Sequence, residues 1–502
     1  MSRYKSLVLI LGLVLLGKAT GFLKDLAFTF YHGVSSVTDA FFLANSISSV
    51  IYMAIYSAIP VLIVPLYSRL METGDRKRLN EGLSSAIFFF FAISACIAVL
   101  AFGASHLLVM IFSGDVSDKV RELSTVYLSI MALTFVLSTL VSLFNSIQSV
   151  NGVVLPSYIV PVVNNVVFCG GLYFYNSVEN FQRVLVLGVF SWLFLVLVNF
   201  SLSRRYYVFK MNAVFSYFVD KRFVFLFLPA VLSFYVEQLN GFVAVYFATE
   251  LGVGAISVFA YANKLNLIFL SVFLVFLTAS LFPRIAAVAA RNDQAELLRY
   301  LTTCIRIVII CSFPIVLYMG FYSHEIVATL FHRGKFMSDD VMKVGSIFSI
   351  VLLALPLCLI RDIMNRVFFS HGNTLTPVFL SLAALVLNST ICFFFYKTYG
   401  LEALAIAAVI STVVNCVAAI YLVQKEAPSI LFLAAFKMFI TCAIGGAIAY
   451  AFLRWINDLF ANYWLLVFIP FVLVYYICLQ ILRVQEVATV TTHLRGLLLR
   501  RV

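Results

Sequence analysis

The residues with chemistry to offer in this chain are the few charges that interrupt its apolar runs. Lys18, Lys24 and Asp25 stand in the first run, and Asp39 opens the second. Glu237 is followed by Gln238 and Asn240, Lys264 follows Asn263, and Arg361, Asp362 and Arg366 fall together. An ionisable group at the centre of a bilayer costs about 2.5–3.5 kcal/mol on insertion scales, so it is kept facing protein or water. Lys18, Lys24 and Lys264 are ammonium groups suited to an anion. A diphosphate is a natural one, because Coulomb attraction strengthens away from bulk water. Lys18 and Asp25 share a helix face, and Lys24 joins them only if the helix bends near Thr20-Gly21. Asp362 and Arg366 have the i,i+4 spacing and order of an internal ion pair. Glu237 is an isolated carboxylate of the kind that holds a cation or a proton. Asp39 either joins the site or caps helix two at the interface.

No arrangement of residues supports covalent catalysis. His106, His324, His332 and His371 fall near helix ends or in loops. There is no HExxH, nucleophile elbow, P-loop or Asp-rich metal motif. The cysteines lie singly inside apolar runs, without CxxC or Cys/His pairing, as small packing residues do. The chain is therefore not expected to be an enzyme, and neither a metal nor a cofactor is expected. A membrane glycosyltransferase or polymerase would need a catalytic carboxylate or base that the sequence does not supply.

These charges must be positioned by membrane helices. Of 502 residues, 63% are hydrophobic and 11% charged, whereas a soluble domain carries about 25% charged residues. Apolar runs of roughly 20 residues or more recur from 6–31 to 463–483. They predict an all-α integral membrane protein with about fourteen transmembrane helices. The run after Leu7 meets Lys18 and Lys24 rather than a small-residue cleavage site, so it reads as a retained helix. The net charge of +12 does not point to nucleic acid, because the basic residues sit in short loops without aromatic interleaving. Clusters such as Arg76-Lys77-Arg78 and Arg204-Arg205 fall in alternate loops, which places both termini in the cytoplasm by the positive-inside rule. Trp455 and Trp464 flank an outer loop as interfacial aromatics.

An internal repeat organises the spans. One constant shift superposes Ala44-Asn45 on Ala262-Asn263, Pro65 on Pro283, Asp75 on Asp293 and Ser105-His106 on Ser323-His324. With two inserted residues, Asn145 and Gly152 match Asn365 and Gly372. The offset spans six helices, so the copies run parallel, an arrangement that suits two lobes rocking about a cavity. The expected division is an N-terminal lobe (1–215), a C-terminal lobe (216–426), and two additional helices with a basic cytoplasmic tail (427–502).

Several stretches then carry a family resemblance. They are Gly21-Phe22 with Lys24-Asp25, Thr38-Asp39-Ala40-Phe41-Phe42, Tyr261-Ala262-Asn263-Lys264-Leu265, Leu330-Phe331-His332-Arg333-Gly334-Lys335-Phe336, and Thr376-Pro377-Val378. Over nearly its whole length the sequence resembles the MurJ (MviN) lipid II flippases of the MOP exporter superfamily. The resemblance implies two six-helix lobes plus two helices that form a hydrophobic groove. It also implies movement of an undecaprenyl-diphosphate-linked peptidoglycan precursor across the bacterial cytoplasmic membrane, through a cavity lined by basic residues. Lys18, Lys24 and Lys264 stand where that family usually has arginine, and Asp39 stands on its aspartate. Lysine gives up bidentate phosphate contacts but keeps the charge. A further basic residue usual in helix two is missing from Ser49-Val50-Ile51-Tyr52-Met53. Coupling to membrane potential or to a monovalent cation at Glu237 is expected. The alternatives are a flippase for another polyprenyl-diphosphate-linked saccharide, of O-antigen or exopolysaccharide type, and a MATE-like cation or drug exporter. The latter would put acidic residues in the cavity.

Overall fold

A computed structural model describes residues 3–72, 74–210, 212, 221–289, 294–423, 428–460, 464–484 and 486–487. Asp293 and the basic tail with Arg495, Arg500 and Arg501 lie outside the described residues. Among the described residues the regular structure is helical, without strands. The chain forms α1 (Arg3–His32), α2 (Ser36–Ser48), a π-helical turn (Ser49–Met53) and α3 (Ala54–Glu72). Next come α4 (Arg76–Gly103), α5 (Ser105–Phe112), α6 (Asp118–Val150), α7 (Leu155–Phe174) and α8 (Phe181–Ser203). After these come α9 (Lys221–Ala248), α10 (Ala255–Ser280), α11 (Phe282–Ala289), α12 (Gln294–Phe321) and α13 (Ser323–Phe331). The remainder is α14 (Ser338–Val351), α15 (Leu355–Ser370), α16 (Leu375–Val423), α17 (Pro428–Phe460) and α18 (Trp464–Ile481). Among the described residues, 11 helical stretches are long and apolar enough to cross a membrane.

Local chemistry fixes where these helices start and stop. Ser35 and Thr38 form a reciprocal capping box at α2: the Ser35 N–H donates to Thr38 Oγ1 at 2.8 Å and the Thr38 N–H to Ser35 Oγ at 3.5 Å. The exposed Asp75 carboxylate accepts the N–H groups of Arg78 and Lys77 at the head of α4, which holds its pKa below the usual carboxylate range. Gly400, at φ 57°, breaks α16 into two arms.

The repeat reappears in the element boundaries. The shift that carries Ser105 onto Ser323, the first residues of α5 and α13, also carries both ends of α4 onto those of α12: Arg76 onto Gln294 and Gly103 onto Phe321. From α6 onward the shift is longer by the two inserted residues. It carries Asp118 onto Ser338, the start of α14, and Val150 onto Ser370, the end of α15. The insertion therefore enters between the starts of α13 and α14. Gly152 and Gly372, at φ 76° and 71°, follow the ends of α6 and α15 in the same left-handed turn.

The helices pack into two compact units: Met1–Val258 with Leu330–Asp340, and Phe259–Thr329 with Val341–Val502. The first unit has a core of small and branched side chains from α3, α4 and α6, among them Ala54, Ala58, Ile59, Leu83, Leu143 and Ile147. A second cluster in that unit is aromatic. Phe28 lies 4.9 Å from Phe41, 5.4 Å from Phe181 and 6.0 Å from Phe168 between ring centroids, which ties α1 to α2, α7 and α8. In the second unit the Tyr318 hydroxyl donates to the Trp464 carbonyl, and Tyr318 lies 5.3 Å from Phe471, joining α12 to α18. Large apolar side chains such as Val99, Phe174, Phe394 and Leu466 stay exposed. That surface suits lipid and would be costly in water.

The segment Leu330–Asp340 docks on the end of α1. The Lys335 N–H donates to the Phe30 carbonyl at 3.0 Å. Gly33 and Gly334 have φ 55° and 62°. A Cβ on Gly334 would run into the Phe30 carbonyl oxygen. Gly334→Ala is expected to lower the unfolding free energy by about 3 kcal/mol, as strain and a backbone clash combine. Denaturant unfolding of detergent-solubilised protein checks this.

Candidate functional site

The best-defined charged group is Asp39, which is 1% exposed. Its Oδ1 accepts the Ser257 N–H at 2.8 Å and also the Ser257 hydroxyl, while Oδ2 accepts the Gly254 N–H at 2.5 Å. Ser257 Oγ also lies 2.8 Å from Thr38 Oγ1. These N–H groups belong to the unsatisfied donors at the head of α10, where the helix dipole favours negative charge. Asp39 therefore caps α10. Helix two is capped by its own Ser35-Thr38 box instead, because the Asp39 side chain is directed to another helix. With both oxygens engaged by donors, Asp39 acts here as a clasp between α2 and α10, and its charge would repel a phosphate.

The lysines of α1 sit differently. Asn165 of α7 packs on α1, its Nδ2 3.4 Å from Thr20 Oγ1 and 3.5 Å from the Gly17 carbonyl. Gly21 makes room for this contact, since a Cβ there would lie 3.4 Å from the same nitrogen. One turn further along that face, the Lys24 Nζ lies over the Phe168 ring, 5.6 Å from its centroid. Lys24 is half-buried and Lys18 is exposed. Since α1 is helical throughout, Lys18 and Lys24 point about 120° apart. Both belong to the first unit. Half-buried Lys264 is on the part of α10 that belongs to the second unit.

Glu237 is exposed on α9. Nearby on that helix, the Tyr235 hydroxyl donates to the Ile51 carbonyl of the π-helical turn at 3.0 Å. The expected Asp362–Arg366 pair gives way to a different one. Arg361 Nε and Nη2 donate to Asp362 Oδ1 at 3.1 and 2.9 Å. The Arg366 guanidinium instead lies 4.8 Å from the centroid of the Phe282 ring on α11. An aromatic face on the neighbouring helix offers Arg366 a cation–π partner, while Arg361 reaches the carboxylate with two donors.

Two features escape the reading of the sequence. The stretch without a basic residue, Ser49–Met53, is the π-helical turn. There Tyr52 is buried, its hydroxyl 2.5 Å from Thr139 Oγ1 and 3.1 Å from Ser138 Oγ, and its ring stacks on Phe135 at 4.4 Å. Arg306 and Lys437 also interrupt the apolar spans Gln294–Phe321 and Leu431–Trp455. Each is a basic residue well inside a span with apolar residues on both sides, which is the signal that could have found them. Among the described residues, no group of three or more His, Cys, Asp or Glu side chains is placed to hold a metal.

Comparison with known proteins places this arrangement. The sequence model described as "Lipid II flippase MurJ" matches residues 28–475. The chain belongs to the lipid II flippase MurJ family. It is 26% identical to the probable lipid II flippase MurJ of Aquifex aeolicus (strain VF5), over 99% of this chain and 98% of that protein. It is 23% identical to the lipid II flippase MurJ of Burkholderia cenocepacia, over 83% and 82% of the two chains. A solved structure of lipid II flippase MurJ in an inward closed conformation shares the fold, with a TM-score of 0.79 at 20% identity, covering 95% of this chain and 98% of that one. An inward-facing MATE family multidrug transporter of the MOP superfamily aligns with a TM-score of 0.68 at 15% identity, over 82% and 94%. The MurJ family consists of membrane transporters rather than enzymes, as the absence of a catalytic motif led one to expect.

The clasp gives a direct test. Asp39→Asn keeps one acceptor but turns an amide N–H₂ toward donors. It is expected to lower the unfolding free energy by about 3 kcal/mol, measured by denaturant titration in micelles.

Proposed function

We propose that this chain is a flippase that moves lipid II, the lipid-linked peptidoglycan precursor, from the inner to the outer leaflet of the cytoplasmic membrane by alternating access. The observation that carries the reading is the family match across residues 28–475. The retained positive charge at Lys18, Lys24 and Lys264 accords with it. In this reading the cargo is undecaprenyl-diphosphate-linked, and the three lysines receive its diphosphate when the lobes open inward. The lobes correspond to residues 1–215 and 216–426, with residues 427–502 as an appendix. Helices α1 and α9 also cross the membrane, and the two arms of α16 count separately, which gives about fourteen spans with both termini cytoplasmic. The tail remains in lipid while the headgroup crosses. Breaking and remaking the Asp39 clasp on α10 accompanies the change of state.

Direction needs an energy source. Membrane potential acting on a charged site is worth about 2.3 kcal/mol per charge per 100 mV, and a monovalent cation at Glu237 is the second route. Neither requires a bound cofactor.

Complementation of a bacterium depleted of its lipid II flippase tests the cargo. The chain is expected to restore growth and cell shape, and Lys18→Ala with Lys264→Ala is expected to abolish rescue while the protein still accumulates in the membrane. Failure of the unaltered chain to rescue would point to another polyprenyl-diphosphate-linked saccharide. Normal rescue by the lysine variants would remove the cationic site from the account.

A further inference from the structure

Arg306 of α12 and Lys437 of α17 have no part in the site above. Both line a cavity of about 290 Å³ whose walls also include Arg483 and Glu486, just beyond α18. Glu486 Oε1 accepts from Arg306 Nη1 at 3.0 Å, with the two side chains 15% and 33% exposed. Arg306, Lys437 and Arg483 bring three positive charges against one carboxylate, so the cavity is left with a net charge of plus two. Cations retained beside apolar spans carry an energetic penalty, and that makes them site candidates.

The backbone supplies an independent observation. Arg483 is the one non-glycine residue with positive φ, 56°, among those described. Its N–H donates to the Gln480 carbonyl at 2.9 Å and the Val484 N–H to the Leu479 carbonyl at 3.1 Å. This is a Schellman turn, whose left-handed position ordinarily holds glycine. A Cβ is disfavoured there, yet an arginine occupies the position and lines the cavity. Strain retained at the wall of a charged cavity points to function.

We propose that this cavity binds a phosphate group of net negative charge, a monoester or a diester that carries no cation of its own. Arginine offers forked donors for phosphate oxygens and lysine a point charge. Two net positive charges match a phosphate dianion, with one in excess for a diester. The group is carried by a lipid headgroup or is free in solution. Exposed Phe436 and Ile440 flank Lys437 on α17, so acyl chains have apolar surface beside the cavity. The site does not rest on the cargo assignment above.

The test uses full-length protein in detergent, titrated with dihexanoyl phosphatidylglycerol, dihexanoyl phosphatidylcholine and inorganic phosphate, with the thermal midpoint as readout. Saturable stabilisation by phosphatidylglycerol or by phosphate, and not by phosphatidylcholine, is expected. Competition by inorganic phosphate means that phosphate alone is recognised, whereas its failure to compete assigns the site to lipid headgroups. Lys437→Gln and Arg483→Gly are expected to weaken binding about ten- to hundredfold. Arg483→Gly should melt no lower than the unaltered protein without ligand, since glycine suits that φ, and this separates lost binding from lost folding. Equal stabilisation by phosphatidylcholine, stabilisation by none of the three, or unchanged affinity in both variants would overturn the proposal.

Discussion

A charge beside hydrocarbon must find a partner or water, and the way each charge of this chain is provided for ties its helices together. Asp39 shows the strictest solution. Its carboxylate is withdrawn from solvent and supplied with N–H donors from α10 and the Ser257 hydroxyl. The helix head gains an anion and the anion gains donors, so one contact meets two needs that would each be costly alone. Arg361 and Asp362 meet the same constraint by pairing with each other. Lys24 meets it through the face of an aromatic ring.

The repeat determines where such solutions can arise. Two copies of one helix order place equivalent breaks at equivalent positions: the turn before Ser105 and before Ser323, and the left-handed glycine at 152 and at 372. The copies are not used identically. The two-residue excess falls near the segment Leu330–Asp340, which packs with the first unit on the end of α1. The family and its transporter fold account for the shared frame. The differences between the copies are where a cargo-specific site would be built.

The helical, membrane-embedded fold was legible because hydropathy and repeated residues are properties of sequence. Gly152 with Gly372, and Ser105-His106 with Ser323-His324, mark matching element boundaries. The family was legible through motifs such as Thr38-Asp39-Ala40-Phe41-Phe42. The partners of Asp39 were not, because two of them are backbone N–H groups, which every residue but proline carries. The pairing of Asp362 was misjudged because i,i+4 spacing ignores a competing aromatic face on another helix. The π-helical turn at Tyr52 has no residue signature; it is a matter of backbone register. Arg306 and Lys437 were visible in the text of the sequence, but their significance comes from a cavity that only three-dimensional packing creates.

The central claim is that positive side chains at membrane depth receive a phosphorylated headgroup. Reconstitution of purified protein into liposomes containing fluorescent lipid II tests it most directly, with leaflet exchange followed by a membrane-impermeant quencher. The account predicts that Lys24→Arg keeps translocation near the unaltered rate, while Lys24→Gln, with the charge removed, slows it at least about tenfold, as loss of a charge-assisted contact implies. Translocation by Lys24→Gln at the unaltered rate would contradict it.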